Sequence, residues 1–320
     1  VRPYWAGLLE DREGGVWLLS GSHGLWYVPA DWRRFAIHVR RVGDLDTVGN
    51  ATVQGAAPAA GGGMWLVGSS GVLDRFDPET GEVERVLEDV GQGVVLNRVL
   101  EDSRGMVWVG YSAGLVRLDP RSGELQRWRV EQPADALPAR MAVDAIAEDP
   151  DGRIWLLVGD SRVQVRDADG RVLGDYARGN GTGLASNVSI RALVIGPDGR
   201  PWLGTAAGLR RLAAAGDRWE PVPGADEGVV TAVAVRDGRV WATGTGELRG
   251  WRWDGDRLQP ALELGPGDGL PLVTFRGVVA DGVGALWLTS TRGLVRVDPD
   301  GRVVRTWTLG DGLPSQDMRN

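Results

Sequence analysis

The chain of 320 residues contains no cysteine, which excludes disulfides, thiol nucleophiles and thiolate metal sites. Lysine is also missing, and all 36 strongly basic residues are arginine. That rules out Schiff-base chemistry and any phosphate loop closed by a lysine. Histidine is reduced to His23 and His38. No apolar run approaches the roughly 18 residues of a membrane span. No leader-like segment opens the chain, which starts at Val1 without Met and is expected to be a trimmed piece of a longer one. A net charge of −7 opposes a broad nucleic-acid footprint, which needs a basic surface. No amphipathic helical period can be drawn anywhere.

Tryptophan and glycine are abundant instead. The 49 glycines are about twice the ordinary share of about 7%, enough to supply many tight turns. Seven tryptophans, Trp17, Trp65, Trp108, Trp155, Trp202, Trp241 and Trp287, recur at spacings of 48, 43, 47, 47, 39 and 46 residues. Each follows a short acidic or Gly-containing turn, and in most copies an apolar run comes after it. A self-similar unit of that length marks a β-propeller blade.

The unit around Trp108 divides into four strand-length pieces, about Val95–Glu101, Met106–Gly110, Gly114–Leu118 and Glu124–Arg129. Asp102-Ser103-Arg104-Gly105 and Asp119-Pro120-Arg121-Ser122-Gly123 join them with residues that preset φ or accept positive φ. Runs such as Ile154-Trp155-Leu156-Leu157 lack strict alternation, as expected of strands covered on both faces. The expected fold is therefore all-β, a single seven-bladed β-propeller over residues 1–320 with four antiparallel strands per blade. Its register begins with a first strand at Trp5–Leu9 and ends with a fourth at Val303–Thr308. Two units are eroded: Gly61-Gly62-Gly63 replaces the acidic turn before Trp65, and Gly250-Trp251-Arg252-Trp253 replaces the third strand after Trp241. His38 is expected in an outer strand.

Concave mouths of β-rings are the default place for a ligand. Eleven residues before each anchor lies the start of an innermost strand, occupied by Ala6, Gln54, Asn97, Asp144, Arg191, Val230 and Arg276. Five of these seven are polar in an apolar setting. Loops after the anchor strands add His23, Tyr111 and Arg292, and Trp5 heads the first strand. The candidate ligand-binding set is Trp5, His23, Gln54, Asn97, Tyr111, Asp144, Arg191, Arg276 and Arg292. Solvated strand ends explain the polar column equally. The hydroxyls of these loops suit local turns, and Trp5 also suits core packing. Arginine forks recognise carboxylates in bidentate fashion. Glu101-Asp102 and Glu148-Asp149 occupy successive strand positions that face opposite ways, so they cannot act as paired acid and base. They are expected to brace turns. No Ser, His and Asp are placed within reach of one another, and no catalytic residue is expected.

Asp311-Gly312-Leu313-Pro314-Ser315, Trp202-Leu203-Gly204-Thr205-Ala206-Ala207-Gly208-Leu209 and Gly293-Leu294-Val295-Arg296-Val297-Asp298-Pro299 resemble two-component regulator propeller repeats. The resemblance implies the periplasmic sensor region of a bacterial histidine kinase or diguanylate cyclase receptor. It further implies downstream receptor domains in the same chain and a homodimer formed through the full receptor, whereas the small-molecule or carbohydrate ligand is expected from the rim residues and not from the repeats. Neither a cofactor nor membrane contact by this piece is expected. Ile195-Gly196-Pro197-Asp198-Gly199-Arg200-Pro201-Trp202 is similar to repeats of virginiamycin B lyases, which implies a metal and a catalytic His, leaving His23 as the candidate. The Asp-x-x-Gly-x-Trp turns are also similar to the Asp boxes of sialidase-type propellers, without their Ser or Thr. A glycan lyase, a glycosidase and a protein-interaction scaffold stay open as alternatives to the non-catalytic sensor.

Overall fold

A computed structural model describes residues 5–10, 16–20, 24–28, 38–88, 90, 94–129, 142–179, 181–311 and 313. The first sheet has three strands, β1 (Trp5–Glu10), β2 (Val16–Ser20) and β3 (Gly24–Val28). Six four-stranded sheets follow, each named below by its anchor tryptophan. The Trp65 blade holds β4 (Val53–Pro58), β5 (Met64–Gly68), β6 (Leu73–Phe76) and β7 (Val83–Leu87). The Trp108 blade holds β8 (Leu96–Glu101), β9 (Val107–Tyr111), β10 (Gly114–Leu118) and β11 (Leu125–Arg129). The Trp155 blade holds β12 (Val143–Glu148), β13 (Ile154–Val158), β14 (Arg162–Arg166) and β15 (Val172–Ala177). The Trp202 blade holds β16 (Ile190–Ile195), β17 (Pro201–Thr205), β18 (Gly208–Leu212) and β19 (Trp219–Pro221). In the Trp241 blade are β20 (Ala232–Arg236), β21 (Arg239–Thr243), β22 (Leu248–Trp253) and β23 (Leu258–Leu264). The Trp287 blade ends the series with β24 (Phe275–Ala280), β25 (Leu286–Ser290), β26 (Gly293–Val297) and β27 (Val303–Trp307).

Every sheet is antiparallel and runs in chain order from first strand to last. The first strands β4, β8, β12, β16, β20 and β24 lie beside one another in succession and form the inner edges of the blades. The fold is thus an all-β propeller with four antiparallel strands per blade, but with six blades rather than the expected seven. The difference lies in the Trp17 unit, whose sheet has three strands among the described residues. Residues 38–52, which follow that unit, form no strand. They are held against the Trp65 blade instead: the Arg85 guanidinium donates to the Thr47 carbonyl at 3.0 Å, and the Asp74 carboxylate accepts from Gly49 N at 2.7 Å. Asn50 closes the same seam on the Val72 carbonyl at 2.9 Å. His38 consequently lies outside any strand, with its ring edge against Phe76 at 4.7 Å between centroids. A second correction concerns Leu248–Trp253, which is an intact third strand of the Trp241 blade rather than an eroded one. The described helices are two single 3₁₀ turns, and no helix among the described residues is long and apolar enough to cross a membrane.

The core is a set of layers between blades. Trp65 packs with Val99, Val107 and Val109 of the next blade, and Trp108 with Val143, Ile154 and Leu156. Trp155 meets Leu193 and Leu203, Trp202 meets Val233 and Val240, and Trp241 meets Phe275 and Leu288. A flat indole covers the widening gap between neighbouring sheets better than any aliphatic side chain. Trp108 and Trp202 are fully buried, whereas Trp287 is half-buried.

The acidic turns hold these indoles in place. Asp102 Oδ1 accepts from Arg104 N and Met106 N, both at 2.9 Å, while Oδ2 accepts from Trp108 Nε1 at 2.8 Å. The Asp149–Trp155, Asp198–Trp202 and Asp281–Trp287 pairs repeat the bond at 2.7, 2.8 and 3.0 Å. Where the turn is Gly61-Gly62-Gly63, Glu101 of the next blade substitutes, accepting from Trp65 Nε1 at 2.6 Å and Ala60 N at 2.9 Å. Glu148 does likewise for the turn before it, accepting from Ser103 N and Oγ, each at 2.7 Å. Both Glu-Asp pairs therefore brace turns, with Asp serving its own blade and Glu the preceding one.

Candidate functional site

The polar column predicted at the start of each innermost strand coincides with a repeated backbone feature. Register shifts fall between Trp5 and Gly7, Val53 and Gly55, Leu96 and Arg98, Val143 and Ala145, Ile190 and Ala192, and Phe275 and Gly277. The skipped residues are Ala6, Gln54, Asn97, Asp144, Arg191 and Arg276. A β-bulge of this kind inserts one residue with no partner opposite and re-aims its side chain. Five polar side chains are thereby delivered at one register position, at the end of each sheet where the hairpin between second and third strands also lies. The Trp241 blade lacks the bulge: β20 pairs with β21 without a shift. There Val230 is buried, and its N–H donates to the Thr205 carbonyl of the previous blade at 2.8 Å.

Gln54, Arg191 and Arg276 are exposed, and Asn97 and Asp144 are half-buried. Tyr111 ends β9, half-buried, and pairs with Leu96 beside the Asn97 bulge. Arg292 is exposed on the hairpin after β25, where its N–H donates to Ser290 Oγ at 3.1 Å. Arg276 and Arg292 share one end of their blade, since Phe275 pairs with Ser290 and Ser290 with Gly293. His23 lies outside the described residues. Trp5 is the first residue of β1, on the near side of the Ala6 bulge.

The loop hydroxyls are engaged locally. Thr205 Oγ1 donates to the Gly208 carbonyl at 2.7 Å and accepts from Ala207 N at 3.0 Å, and Ser290 repeats the arrangement. Ser69 and Ser70 accept from Thr52 N and Ala51 N at 3.0 and 3.1 Å. Asp160 takes Ser189 Oγ at 2.9 Å and lies 3.7 Å from Arg178.

Sequence reasoning missed Arg98. The residue directly after the bulge is Gly7, Gly55, Ala145, Ala192 and Gly277 in the other bulged sheets, and Arg98 in the Trp108 blade. The small residues fit because inner strands approach closely there: a Cβ on Gly55 would stand 2.7 Å from the Asn97 carbonyl oxygen. Arg98 Nη1 donates to the Gln54 carbonyl at 3.0 Å and to the Asn97 carbonyl at 2.7 Å, tying two blades together at the axis. Burial lowers the Arg98 pKa, and the Asp144 carboxylate of the following blade opposes that shift. The signal was an arginine in a column otherwise filled by glycine and alanine.

A hollow of about 980 Å³ lies away from this rim, beside the outer hairpin of the Trp65 blade, lined in part by Asp46, Arg75, Asp77 and Glu84. None of the described rim residues lines it. Among the described residues, no three His, Asp or Glu side chains come together as a metal site.

No family model and no curated protein matches the sequence. Among solved structures, the fold is similar to a streptogramin B lyase, with a TM-score of 0.63 at 15% identity over 81% of this chain and 84% of that one. It is similar to a catalytically inactive virginiamycin B lyase from Staphylococcus aureus with quinupristin, with a TM-score of 0.57 at 11% identity over 90% and 92% of the two chains. The extracellular domain assigned to a hybrid two-component system of B. thetaiotaomicron matches with a TM-score of 0.48 at 17% identity, over 92% of this chain and 45% of that one. At these identities the likeness concerns the propeller fold.

Proposed function

We propose that this propeller is a non-catalytic recognition module that binds a small molecule or glycan at the bulged rim, as the periplasmic sensor region of a bacterial signalling receptor. One observation carries the binding reading. Five blades use the same backbone irregularity at the same register to present a glutamine, an asparagine, an aspartate and two arginines. A bulge leaves a ladder position unpaired, and a purely structural ring has no need of polar groups that vary around it. The receptor context rests on the resemblance of the repeats around Trp202, Gly293 and Asp311, and in it the ligand signal passes to receptor domains of the same polypeptide.

The test is a thermal-shift screen of the chain against neutral and acidic mono- and oligosaccharides. A ligand at a hundred times its Kd adds about 2.7 kcal/mol of stability, enough to raise Tm measurably. A hit whose shift disappears in the Gln54→Ala and Asn97→Ala variants, while their ligand-free Tm stays unchanged, supports the reading. A panel without hits, or hits indifferent to both substitutions, overturns it. The fold likeness to streptogramin-class lyases raises a catalytic reading, for which His23 is the candidate residue; turnover of a streptogramin abolished by His23→Ala would establish that reading instead.

A further inference from the structure

The rim is divided by charge. On the side of the Trp65, Trp108 and Trp155 blades the groups are the Gln54 and Asn97 amides together with Arg98 and Asp144, whose opposite charges attract. On the side of the Trp202 and Trp287 blades the bulges carry Arg191 and Arg276, and Arg292 adds a third guanidinium at the same end of the Trp287 blade. Other arginines at this end are taken up by the fold. Arg178 donates to the Val188 carbonyl at 3.2 Å, Arg210 to the Ala207 carbonyl at 3.3 Å, and Arg249 to the Glu227 carbonyl at 3.1 Å. The guanidinium groups of Arg191, Arg276 and Arg292 form no hydrogen bond or ion pair among the described residues. The acids nearby do not neutralise them: Asp160 faces Arg178, Glu247 faces Arg249 at 3.6 Å, and the exposed Asp226 and Glu227 pair with none of the three. Between the two arginine-bearing strands, Thr245 of the Trp241 blade meets Thr274, just before β24, with their hydroxyls 3.0 Å apart, and β20 carries no bulged polar group.

We propose that this half of the rim is an oxyanion subsite and that the ligand is an acidic saccharide, carboxylated or sulfated. Its anionic group rests on Arg191, Arg276 and Arg292, and its neutral hydroxyls turn toward Gln54 and Asn97. The assignment rests on the rim being the binding site. Guanidinium forks match planar or tetrahedral oxyanions through two parallel N–H bonds. Three unpaired forks on a chain of net charge −7 are an arrangement that the surface charge as a whole does not favour. The neutral amide side accounts for recognition of the sugar rather than of a bare anion.

The experiment compares digalacturonic acid, glucose 6-sulfate and neutral maltose by calorimetric titration of the wild-type chain and the Arg191→Ala, Arg276→Ala and Arg292→Ala variants. At least one acidic probe binds more tightly than maltose, and each arginine removed weakens it about tenfold or more, as expected for a charge-assisted bond. Raising the salt concentration weakens the acidic probes and leaves maltose unaffected. Which acidic probe binds distinguishes carboxylate from sulfate. If maltose binds as well as the acidic probes through Gln54 and Asn97, the subsite is overturned while the recognition module stands. If no probe binds, both fall. Equal loss of ligand-free Tm in the arginine variants would make these residues structural and also overturn the subsite.

Discussion

A single aspartate per turn sets the geometry of most blades. The Asp102 carboxylate is buried and accepts four N–H groups: two from the backbone of its own turn, one from the Trp108 indole and, at 3.4 Å, one from the Arg104 guanidinium. Removing it leaves four donors without that acceptor, three of them at 2.8–2.9 Å, each bond to a charged group being worth about 1.5–3 kcal/mol before relaxation and water entry. Asp102→Ala is therefore expected to cost about 2–4 kcal/mol in urea unfolding, and Asp102→Asn less, because the amide oxygen keeps part of the set. Ser103→Ala, which loses one hydroxyl bond to Glu148, is expected to cost about 1 kcal/mol. Arg98 is the residue-scale exception at the axis, its guanidinium threaded between two blades where neighbouring copies carry glycine or alanine.

Turns and bulges do most of the positioning at the scale of elements. In the hairpins between third and fourth strands, Asp77, Asp119 and Asp254 each accept backbone N–H groups two or three residues on. The bond from Arg257 N, followed by the Gln259 side chain and Asp256 N, holds the Asp254 carboxyl at about 2, below the ordinary 3.8. The Trp287 indole lowers Asp281 in the same sense, and the Glu79 backbone lowers Asp77. A carboxyl depressed in the folded state stabilises it above the unfolded pKa and loses that contribution as pH falls through the folded one. Stability should therefore be level down to about pH 4 and decline toward about pH 2. Asp254→Asn should flatten part of that decline when urea midpoints are compared at pH 6, 4 and 3. An unchanged pH profile in this variant would show that the turn carboxylate does not report on folding.

Across the whole molecule, stability comes from interfaces between blades, so protection should follow depth within each blade. Second strands are almost wholly buried, as in Ile154–Val158 and Pro201–Thr205, whereas fourth strands such as Val172–Ala177 are half-exposed. Amide hydrogen exchange should be slowest in β9, β13 and β17 and fastest in β7, β11 and β15, because local opening tracks buried contacts. Uniform exchange across all four strands would mean that the blades open as units.

The amino-acid sequence alone determined the local and repetitive part of this protein. Trp–turn periodicity, paired with Gly and Asp at fixed offsets, is a short-range pattern, so it specified the all-β class, four strands per blade, the approximate bounds of β8–β11 and the column at Gln54, Asn97, Asp144, Arg191 and Arg276. It did not determine the number of blades. The Trp17 unit carries the same local signals as the others, yet residues 38–52 are captured by Asp74 and Arg85 of the next blade, a contact between segments some 25–38 residues apart. Nor did it reveal that the polar column sits on bulges, or that Arg98 enters the axis, because both depend on which strand lies alongside. Pairing register and the meeting of neighbouring blades are long-range properties, and only the tertiary structure decided them.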